Sequence, residues 1–558
     1  MSRIKKIFKV LLKLFGVLAL LLVAASLFFL WRIRIPSPDV DKQLTPSSFE
    51  RKQIAPDSYQ INNCWLKKNE FGIWEMYLEG EPYQRGIIYG VLAKELIEKQ
   101  EEVFVSQINE MVPGKLYQQF LKFFVAWFNK DIYKYIPEEN LKEIYGVSLS
   151  FSDKFDYIGP KYYRILNYHA AHDIAHALSD LKMVGCTSFA VNKEFSADSS
   201  LLIARNFDFY MGDDFAREKL LVFVNPDSGY KYASYSWAGF TGVVSGMNEK
   251  GITVTINAAK SDMPFEAKNP ISILAREILQ YSKNIQEAIA IAKKRETFVS
   301  ESLLIGSAED DEAVIIEKSP TKISVYKSQK NQLVCANHYQ GDLFMKDSIN
   351  LTWIDNSDSK YRFDRMNELL LTRSPLNYKE ASDILRNKEG INGKDIGYGN
   401  PKALNQLIAH HGIIFKPKEK KMWISTSPYQ LGEFICYDLN HAFKMDGNYF
   451  VDSLTVAKDS FLLTENYKKY ESYKKIKEKI KKFVLFDIPF SMDEKNIASF
   501  ISDNPNSYVT FMSLGDYFKK NDDFVRATAY YKQALEHDVA SKNEIEILKK
   551  NIEECKNN

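Results

Sequence analysis

A cysteine at the start of a predicted strand is the residue of this sequence that is best suited to catalysis. Cys186 follows Gly185 and opens the segment Cys-Thr-Ser-Phe-Ala-Val, which is typical of a strand. Glycine permits the strained backbone that a shift of the preceding acyl group onto the thiol requires. We therefore predict that the bond between Gly185 and Cys186 is a self-cleavage site and that Cys186 is a nucleophile.

Two charged residues in the next predicted strand suit a cysteine nucleophile. Arg205 and Asp208 follow the apolar run Leu-Leu-Ile-Ala, and a hairpin between the two strands returns both to the neighbourhood of Cys186. A fixed cation favours the thiolate, while a carboxylate can hold an ammonium group. From the residues alone, the alternatives are an inert buried cysteine and an ordinary surface ion pair.

Three histidines offer a second kind of chemistry. His169, His172 and His176 lie at spacings of three and four on one predicted helix, so they share a face. The segment His-Asp-x-x-His imitates a zinc-binding helix, although aspartate replaces the glutamate of the zinc-protease motif and no further ligand is identified. A zinc-dependent hydrolase is thus an alternative prediction, and histidines packed at an interface are the structural one.

The apolar N-terminal segment predicts a membrane anchor. Residues Val10 to Trp31 form a run long enough to span a bilayer, which takes roughly 20 residues. The basic residues before it stay in the cytoplasm, so everything after Trp31 is expected outside it, in the periplasm if the protein is bacterial. A cleaved signal peptide is the alternative. Residues 1–34 are therefore assigned to a cytoplasmic tip and signal anchor.

The composition excludes some functions. Among 558 residues, 74 lysines and arginines balance 72 aspartates and glutamates, which leaves no excess of positive charge for nucleic acid. A hydrophobic content of 45% is enough for a large core. The five cysteines are odd in number, so a disulfide framework is not expected and one thiol at least remains free or pairs between chains.

The rest of the chain divides by pattern into five stretches. Residues 35–60 are proline-rich and polar and predict a linker, and residues 61–185 predict a mainly helical segment. Residues 186–450 alternate short strands with helices and predict an α+β catalytic domain. A connector at 451–505 precedes residues 506–558, which predict a helical hairpin of the tetratricopeptide (TPR) type that packs on the domain or on a protein partner.

Five motifs in this order resemble those of the N-terminal-nucleophile (Ntn) hydrolases. They are similar to the branch that holds the acyl-coenzyme A:6-aminopenicillanic acid acyltransferases, penicillin V acylases and bile salt hydrolases. The resemblance covers the stretch from Cys186 to Leu439. The motifs are Gly185-Cys186-Thr187-Ser188-Phe189, Ala204-Arg205-Asn206-x-Asp208, Gly251-Ile252-x-x-x-Ile256-Asn257, Ala336-Asn337-His338-Tyr339 and Tyr361-Arg362-Phe363-x-Arg365.

The resemblance implies a four-layer αββα sandwich and a role for the cysteine. Cleavage makes Cys186 the new N-terminal residue, whose thiol attacks the substrate and whose α-amine is the base. A free α-amine titrates near ~7.7–8.0, close to working pH, so it suits this task. Arg205 is expected beside the sulfur, and Asp208 is expected to accept from the α-ammonium.

The remaining motif residues also receive roles from the resemblance. Asn257 matches an oxyanion-hole amide, Asn337 matches an amide that positions the reacting groups, and Arg362 matches a supporting arginine. Arg365 lies one helical turn on and is the alternative to Arg362. The residues before Cys186 are expected to remain as a separate subunit that represents a pro-region.

The implied function is acyl chemistry on an amide. The protein is expected to cleave or transfer the acyl group of an N-acyl amide substrate through a cysteine acyl-enzyme, without a cofactor. Hydrolysis and acyl transfer both remain open, because water and an amine compete for the same acyl-enzyme. A catalytically inactive scaffold, with the C-terminal hairpin binding a partner, is the alternative of a different class.

Overall fold

Two β-sheets organise the chain. The computed structural model describes residues 2–112, 114–170, 173, 185–262, 264, 266–444 and 449–557. An eleven-stranded sheet runs in the order β1-β2-β3-β4-β7-β8-β9-β10-β11-β12-β13, and a six-stranded sheet runs in the order β14-β5-β6-β15-β16-β17. The strands are β1 Lys52–Ala55, β2 Ser58–Ile61, β3 Cys64–Lys68, β4 Trp74–Gly80, β5 Thr187–Lys193, β6 Ser199–Phe207, β7 Lys219–Pro226, β8 Tyr232–Trp237, β9 Ser245–Asn248, β10 Ile252–Ala258, β11 Glu301–Ser307, β12 Glu312–Lys318, β13 Ile323–Tyr326, β14 Gln332–Cys335, β15 His411–Lys416, β16 Lys421–Ser425 and β17 Phe434–Asp438.

Helices precede, interrupt and follow the sheets. The described α-helices are α1 Ser2–Arg32, α2 Pro82–Leu92, α3 Lys94–Met111, α4 Lys115–Phe128, α5 Glu138–Ser148, α6 Lys161–His169, α7 Ile271–Tyr281, α8 Ile285–Lys294, α9 Ser348–Asn356, α10 Ser359–Arg373, α11 Tyr378–Leu385, α12 Leu439–Ala442, α13 Glu465–Phe486, α14 Glu494–Asp503, α15 Tyr508–Lys520, α16 Phe524–Leu535 and α17 Lys542–Lys556. This mixture of helix and sheet agrees with the predicted α+β class.

The hairpin predicted after Cys186 is present. Strands β5 and β6 pair antiparallel, with Thr187 opposite Asn206 and Ser188 opposite Arg205. Both strands are rich in β-branched and other apolar residues and are buried along almost their whole length, so they form the centre of a covered sheet. The pairing register therefore brings the start of β5 next to the end of β6.

The inner faces of the two sheets share a hydrophobic core. Leu221 and Leu304 of the large sheet belong to the same buried cluster as Ile203 and Ile413 of the smaller one. Side chains of a strand alternate between its two faces, so the remaining apolar residues point outward. This alternation means that each sheet has a second face to cover.

Helices cover both outer faces. On the large sheet, Val222 and Val254 cluster with Ile88 of α2 and Ile278 of α7. On the small sheet the cover comes from α10 and α11, whose apolar residues pack against β5, β6 and β15 in a separate buried cluster. Both of these helices come after β14 in the chain.

The segment predicted to be helical also contributes strands to the large sheet. β3 and β4 lie within residues 61–185, and β4 pairs parallel with β7, with Trp74 opposite Leu220. β1 and most of β2 lie within the predicted linker 35–60. β1 to β4 pair with one another in chain order, and only the pairing of β4 with β7 joins strands that are distant in sequence.

Gly86, in the segment Tyr83-Gln84-Arg85-Gly86, lets α2 and α5 approach each other closely. A Cβ on Gly86 of α2 would overlap the carbonyl oxygen of Glu143 in α5. The adjacent Arg85 donates to the Glu143 carboxylate, which also accepts from Arg276 of α7. All three side chains are buried, so this charged triad ties the N-terminal helices to the sheet domain.

The C-terminal part is helical from residue 465 onward. The predicted connector contains α13 and α14, and α15, α16 and α17 pack on one another around a shared apolar cluster. Asn400 donates to the backbone oxygen of Asp538, and Asn504 accepts from the backbone of Tyr398. The C-terminal helices are therefore attached to the sheet domain.

One described helix is long and apolar enough to cross a membrane. It covers Lys6–Arg32 with a mean hydropathy of 2.6, and none of that stretch is buried against the rest of the chain. The same features fit a signal sequence near an N-terminus. Helix α1 is therefore a candidate for both of the predicted roles.

Candidate active site

Cys186 lies immediately before β5 and is fully buried. Its sulfur accepts a hydrogen bond from Nη2 of Arg205 at 3.7 Å and donates to the backbone oxygen of Asp208 at 3.8 Å. Burial raises the pKa of the thiol to about 11, against the smaller opposing effect of Arg205. In the uncut chain the thiol is therefore protonated, and the arginine stands ready to stabilise a thiolate.

The carboxylate of Asp208, which follows β6, lacks within the described part of the chain the hydrogen bonds that a buried charge needs. The side chain is buried, and neither carboxylate oxygen has a hydrogen-bond partner among the described residues. Burial raises its pKa to about 7, opposed by Arg362 and Arg205. A buried carboxylate without a partner is costly, so this position fits a cation that the uncut chain does not yet provide.

Arg205 is fixed at several points. Its guanidinium donates to the backbone oxygens of Val244 and Ile256, and its charge lies over the ring of Phe207 at 4.2 Å. Desolvation lowers its pKa from the usual value, but arginine remains charged at any working pH. Rigid donors of this kind hold a charge in place without reorganisation.

The two asparagines lie on neighbouring elements. Asn257 on β10 donates to the backbone oxygen of Cys335 at 3.1 Å and accepts from the hydroxyl of Ser188 at 2.8 Å. Asn337 follows β14 and donates to the backbone oxygen of Ala258 at 2.9 Å. Both amides are thus held close to the first residues of β5.

The structure separates the two candidate arginines of α10. Arg362 donates to the backbone oxygen of Cys186 at 3.0 Å and to the side chain of Asn337 at 2.9 Å. Arg365 instead pairs with Glu368 and Glu389. Of the two, Arg362 is the one that contacts the cysteine.

One buried amide was not predicted from the sequence. Nε2 of Gln406 donates to the carbonyl oxygen of Gly185 at 2.9 Å, and the backbone N–H of Gly185 donates to the oxygen of Asp208 at 3.1 Å. The next residue, Leu407, has a φ of +55°, a strained value for a branched side chain. No local sequence pattern distinguishes this glutamine.

A polar chain extends behind the arginine. Ser245 accepts from Arg205 and contacts Nε2 of His411 at 2.9 Å, and the Nδ1 atoms of His411 and His410 lie 2.8 Å apart. Burial holds the pKa of both imidazoles well below its usual value. The two histidines thus contact the arginine indirectly, through the hydroxyl of Ser245.

Of the three histidines in the zinc alternative, the structure describes only His169. Its Nδ1 lies 2.8 Å from the backbone oxygen of Ile165, and its Nε2 lies 2.9 Å from the hydroxyl of Thr241. His172 and His176 lie outside the described residues. Within the described part of the chain, no group of three or more histidine, cysteine or acidic residues is placed to hold a metal ion.

The fold and the site resemble those of one class of protein. A buried cysteine follows a glycine, a fixed arginine donates to its sulfur, and the sulfur donates to the backbone oxygen of Asp208, whose carboxylate has no hydrogen-bond partner among the described residues. This is the arrangement expected of the Ntn hydrolase class. Residues 195–427 match the family described as acyl-coenzyme A:6-aminopenicillanic acid acyl-transferase, which confirms the resemblance. The matched part holds the five predicted site residues after Cys186 and begins beyond the cysteine itself.

Known proteins similar to this chain include two curated relatives and a solved structure. An uncharacterized protein from Archaeoglobus fulgidus is 27% identical over 277 residues, 46% of this chain and 45% of that protein. An N-acylethanolamine-hydrolyzing acid amidase from Caenorhabditis elegans is 23% identical over 256 residues, 44% of this chain and 67% of that protein. A conjugated bile acid hydrolase variant from Clostridium perfringens has 12% identity over 49% of this chain and 97% of its own, with a TM-score of 0.34. The chain spans about half of the length of the first curated relatives that it matches.

Proposed function

We propose that this chain is a self-cleaving cysteine Ntn hydrolase or acyltransferase that acts on the carbon–nitrogen bond of an N-acyl amide. The observation that carries the proposal is the buried carboxylate of Asp208, which has no hydrogen-bond partner among the described residues and belongs to a residue in contact with Cys186. Cleavage before Cys186 creates an α-ammonium group at that place, which satisfies the carboxylate. Arg205 at the sulfur and the match of residues 195–427 to the acyltransferase family support the same proposal.

Self-cleavage is an acyl shift followed by hydrolysis. The sulfur of Cys186 attacks the carbonyl carbon of Gly185, a carbon–sulfur bond forms, and the carbon–nitrogen bond breaks. The thiol proton passes to the departing nitrogen, which becomes the α-amine of Cys186. Water then hydrolyses the thioester, leaving the Gly185 carboxylate and the free thiol.

The mature site then uses the new terminus in each turnover. The α-amine, which titrates near ~7.7–8.0 when unperturbed, takes the thiol proton as the sulfur attacks the substrate carbonyl. Asp208 orients the ammonium, Arg205 stabilises the thiolate and Asn257 donates to the oxyanion. The protonated amine gives its proton to the leaving amine, and water or another amine resolves the acyl-enzyme.

An N-acyl amide is the substrate class that the comparisons favour. The relative from Caenorhabditis elegans is an N-acylethanolamine-hydrolyzing acid amidase, and the matched family transfers acyl groups to 6-aminopenicillanic acid. Both chemistries break or form an acyl–nitrogen bond. None of the proposed steps requires a cofactor.

The proposal extends to the architecture around the site. Helices on both outer faces of two stacked sheets support the four-layer αββα arrangement of the class. Helix α1 supports a signal anchor with the catalytic domain outside the cytoplasm. The C-terminal helices are proposed to be a TPR-like surface for a protein partner, on the basis of their sequence spacing.

Intact mass of the full chain in detergent tests self-cleavage. The native chain should give two fragments, one that ends at Gly185 and one that begins at Cys186. Cys186→Ala should give one uncut chain. Cys64→Ala is the matched control, because Cys64 is also buried but lies on β3. It should be cut like the native chain, and the cut native protein should then hydrolyse N-acyl amides. A native chain that stays whole would overturn the proposal and favour the scaffold.

A further inference from the structure

Helix α4 carries an apolar stripe that remains largely exposed. Leu116, Phe120, Phe123 and Trp127 recur at spacings of four, three and four, and Leu116 is 89% and Phe120 60% exposed. Single exposed apolar residues are common, but a continuous stripe along a helix marks an interaction site. The other side of α4 is packed, with Phe128 against Phe298 at 5.7 Å.

The stripe is continuous with the surface of the candidate membrane helix. Phe29 of α1 stacks on Trp127 with ring centroids 5.6 Å apart, and it meets the edge of Phe123 at 5.9 Å. Phe29 is three residues before the end of α1, so α4 touches that helix ~5 Å from its terminus along the axis. That depth corresponds to the boundary between acyl chains and headgroups if α1 spans a bilayer.

Polar contacts fix this arrangement. The guanidinium of Arg32 pairs with Asp131 just after α4, where it holds the pKa of the carboxyl down to about 2. Beyond α1, Tyr163 of α6 accepts from the backbone N–H of Ile35 at 3.0 Å and donates to its oxygen at 3.1 Å. The helical segment before Cys186 is therefore attached directly to the end of α1.

We propose that α4 lies in the interfacial region of the lipid bilayer, as a second membrane-binding element beside the end of α1. Besides the stripe, α4 carries Tyr117, Lys115 and Lys122. Aromatic rings and lysines together are the composition of interfacial helices and membrane belts. The proposal rests on the proposed anchoring by α1. It places the catalytic domain close to the membrane surface.

Fluorescent labelling of the full chain in lipid vesicles tests the proposal. The five native cysteines are buried, so Leu116→Cys provides a selective site for a nitrobenzoxadiazole label. Val525→Cys on α16 is the matched control, since Val525 is an apolar residue that is 83% exposed. We expect the label at 116 to shift to the blue and to be quenched several-fold more by shallow nitroxide lipids than the label at 525. A second label at Phe120→Cys should repeat the result.

The outcomes separate the proposals. Equal quenching at 116 and 525 would overturn the role of α4, as would protection of 116 from aqueous iodide without quenching by nitroxide lipids, which indicates a protein partner. Carbonate extraction of the same vesicles tests α1 separately. A chain released by carbonate contradicts the anchor, whereas a retained chain with an unquenched label contradicts only the role of α4.

A second inference concerns Gln406 and deepens the proposed self-cleavage. When the sulfur of Cys186 attacks the carbonyl carbon of Gly185, negative charge develops on the carbonyl oxygen. Nε2 of Gln406 donates to that oxygen at 2.9 Å. The glutamine is buried, and its neighbour Leu407 holds the backbone in a strained conformation. The geometry points to Gln406 as the oxyanion donor of self-cleavage, distinct from Asn257 on β10.

Time courses of newly synthesised full chains test this role. Gln406→Leu and Gln406→Glu both remove the donor and should slow cleavage by about 10²–10³-fold, the usual effect of losing one oxyanion donor. Gln430→Leu is the matched control, because Gln430 is also buried and donates to a backbone oxygen, that of Leu385, away from Gly185. It should cleave at the native rate.

The native chain in the same experiment keeps the two proposals apart. If the native chain and both Gln406 variants cleave at equal rates, the donor role is overturned while self-cleavage stands. If the native chain does not cleave, self-cleavage itself is overturned. Circular dichroism of each variant identifies a loss of folding, and the glutamate variant retains the size of the native side chain.

Discussion

Burial sets the protonation states of the two groups that meet at the proposed cleavage site. It raises the pKa of the Cys186 thiol to about 11 and that of the Asp208 carboxyl to about 7. Both groups are therefore held closer to neutrality in the uncut chain than in water. Once an ammonium group forms beside Asp208, the same burial strengthens the pairing of opposite charges.

The carboxyl of Asp208 predicts a pH dependence of stability. Its pKa in the folded uncut chain, about 7, lies above the usual 3.8, so the folded state binds more protons than the unfolded state between these values. The free energy of unfolding should therefore fall as pH rises from 4 to 7, by on the order of 1.4 kcal/mol for each unit of pKa shift. Asp208→Asn in the uncut Cys186→Ala chain should remove this loss.

Denaturant midpoints at pH 4 and pH 8 measure this difference. The advantage of Asp208→Asn over its parent should be small at pH 4 and largest at pH 8. Asp214→Asn is the control, because that carboxylate is exposed beside Arg217. An advantage that is the same at both pH values would contradict the assignment of Asp208 as a buried, neutral acid.

At the scale of elements, α10 fastens the start of β5. Arg362 reaches from α10 to the backbone oxygen of Cys186 and the hydroxyl of Thr187, and it also holds Asn337 after β14. One side chain thus connects a helix of the outer layer with two strands of the small sheet. Charge-assisted hydrogen bonds of this kind contribute about 1.5–3 kcal/mol each.

Replacement of the two α10 arginines should give different results. Arg362→Leu should slow self-cleavage by ~10-fold to ~100-fold, which corresponds to one lost charge-assisted bond at 1.4 kcal/mol per tenfold change. Arg365→Leu removes a similar buried cation whose partners are Glu368 and Glu389, so cleavage should keep its native rate. The cleaved fraction over time measures both. Equal slowing in the two variants would indicate a general loss of packing.

At the scale of the whole molecule, the segments before and after the proposed cleavage site share one structure. Strands β1 to β4 precede the cut and β7 to β13 follow it, yet all belong to one sheet. The parallel pairing of β4 with β7 runs from Trp74 opposite Leu220 to Gly80 opposite Pro226. The buried triad of Arg85, Glu143 and Arg276 also joins the two sides.

The two fragments should therefore remain associated after self-cleavage. In detergent without denaturant, they should elute together in size-exclusion chromatography, because separation exposes a sheet edge and a large apolar core. In strong denaturant they should elute apart. Separation under native conditions would contradict the shared sheet.

The sequence predicted much of the site because the decisive relations are local. Cys186 directly precedes β5, Arg205 lies on β6 and Asp208 directly follows it, and a hairpin of two consecutive strands brings the start of the first next to the end of the second. The strand patterns after Cys186 and the helical pattern near the C-terminus are equally local. The strands before Cys186 were less predictable, since β4 pairs with β7 across more than a hundred residues.

The sequence by itself predicted the nucleophile and its charged neighbours, and it determined the family that the motifs resemble. Only the tertiary structure selected Arg362 over Arg365, because helical spacing places both on one face while contact with Cys186 depends on how α10 packs. It alone brought Gln406 to Gly185 and Phe29 to Trp127, since neither pair has a local pattern that links its members. Side chains distant in sequence meet through packing, and packing is a property of the whole chain.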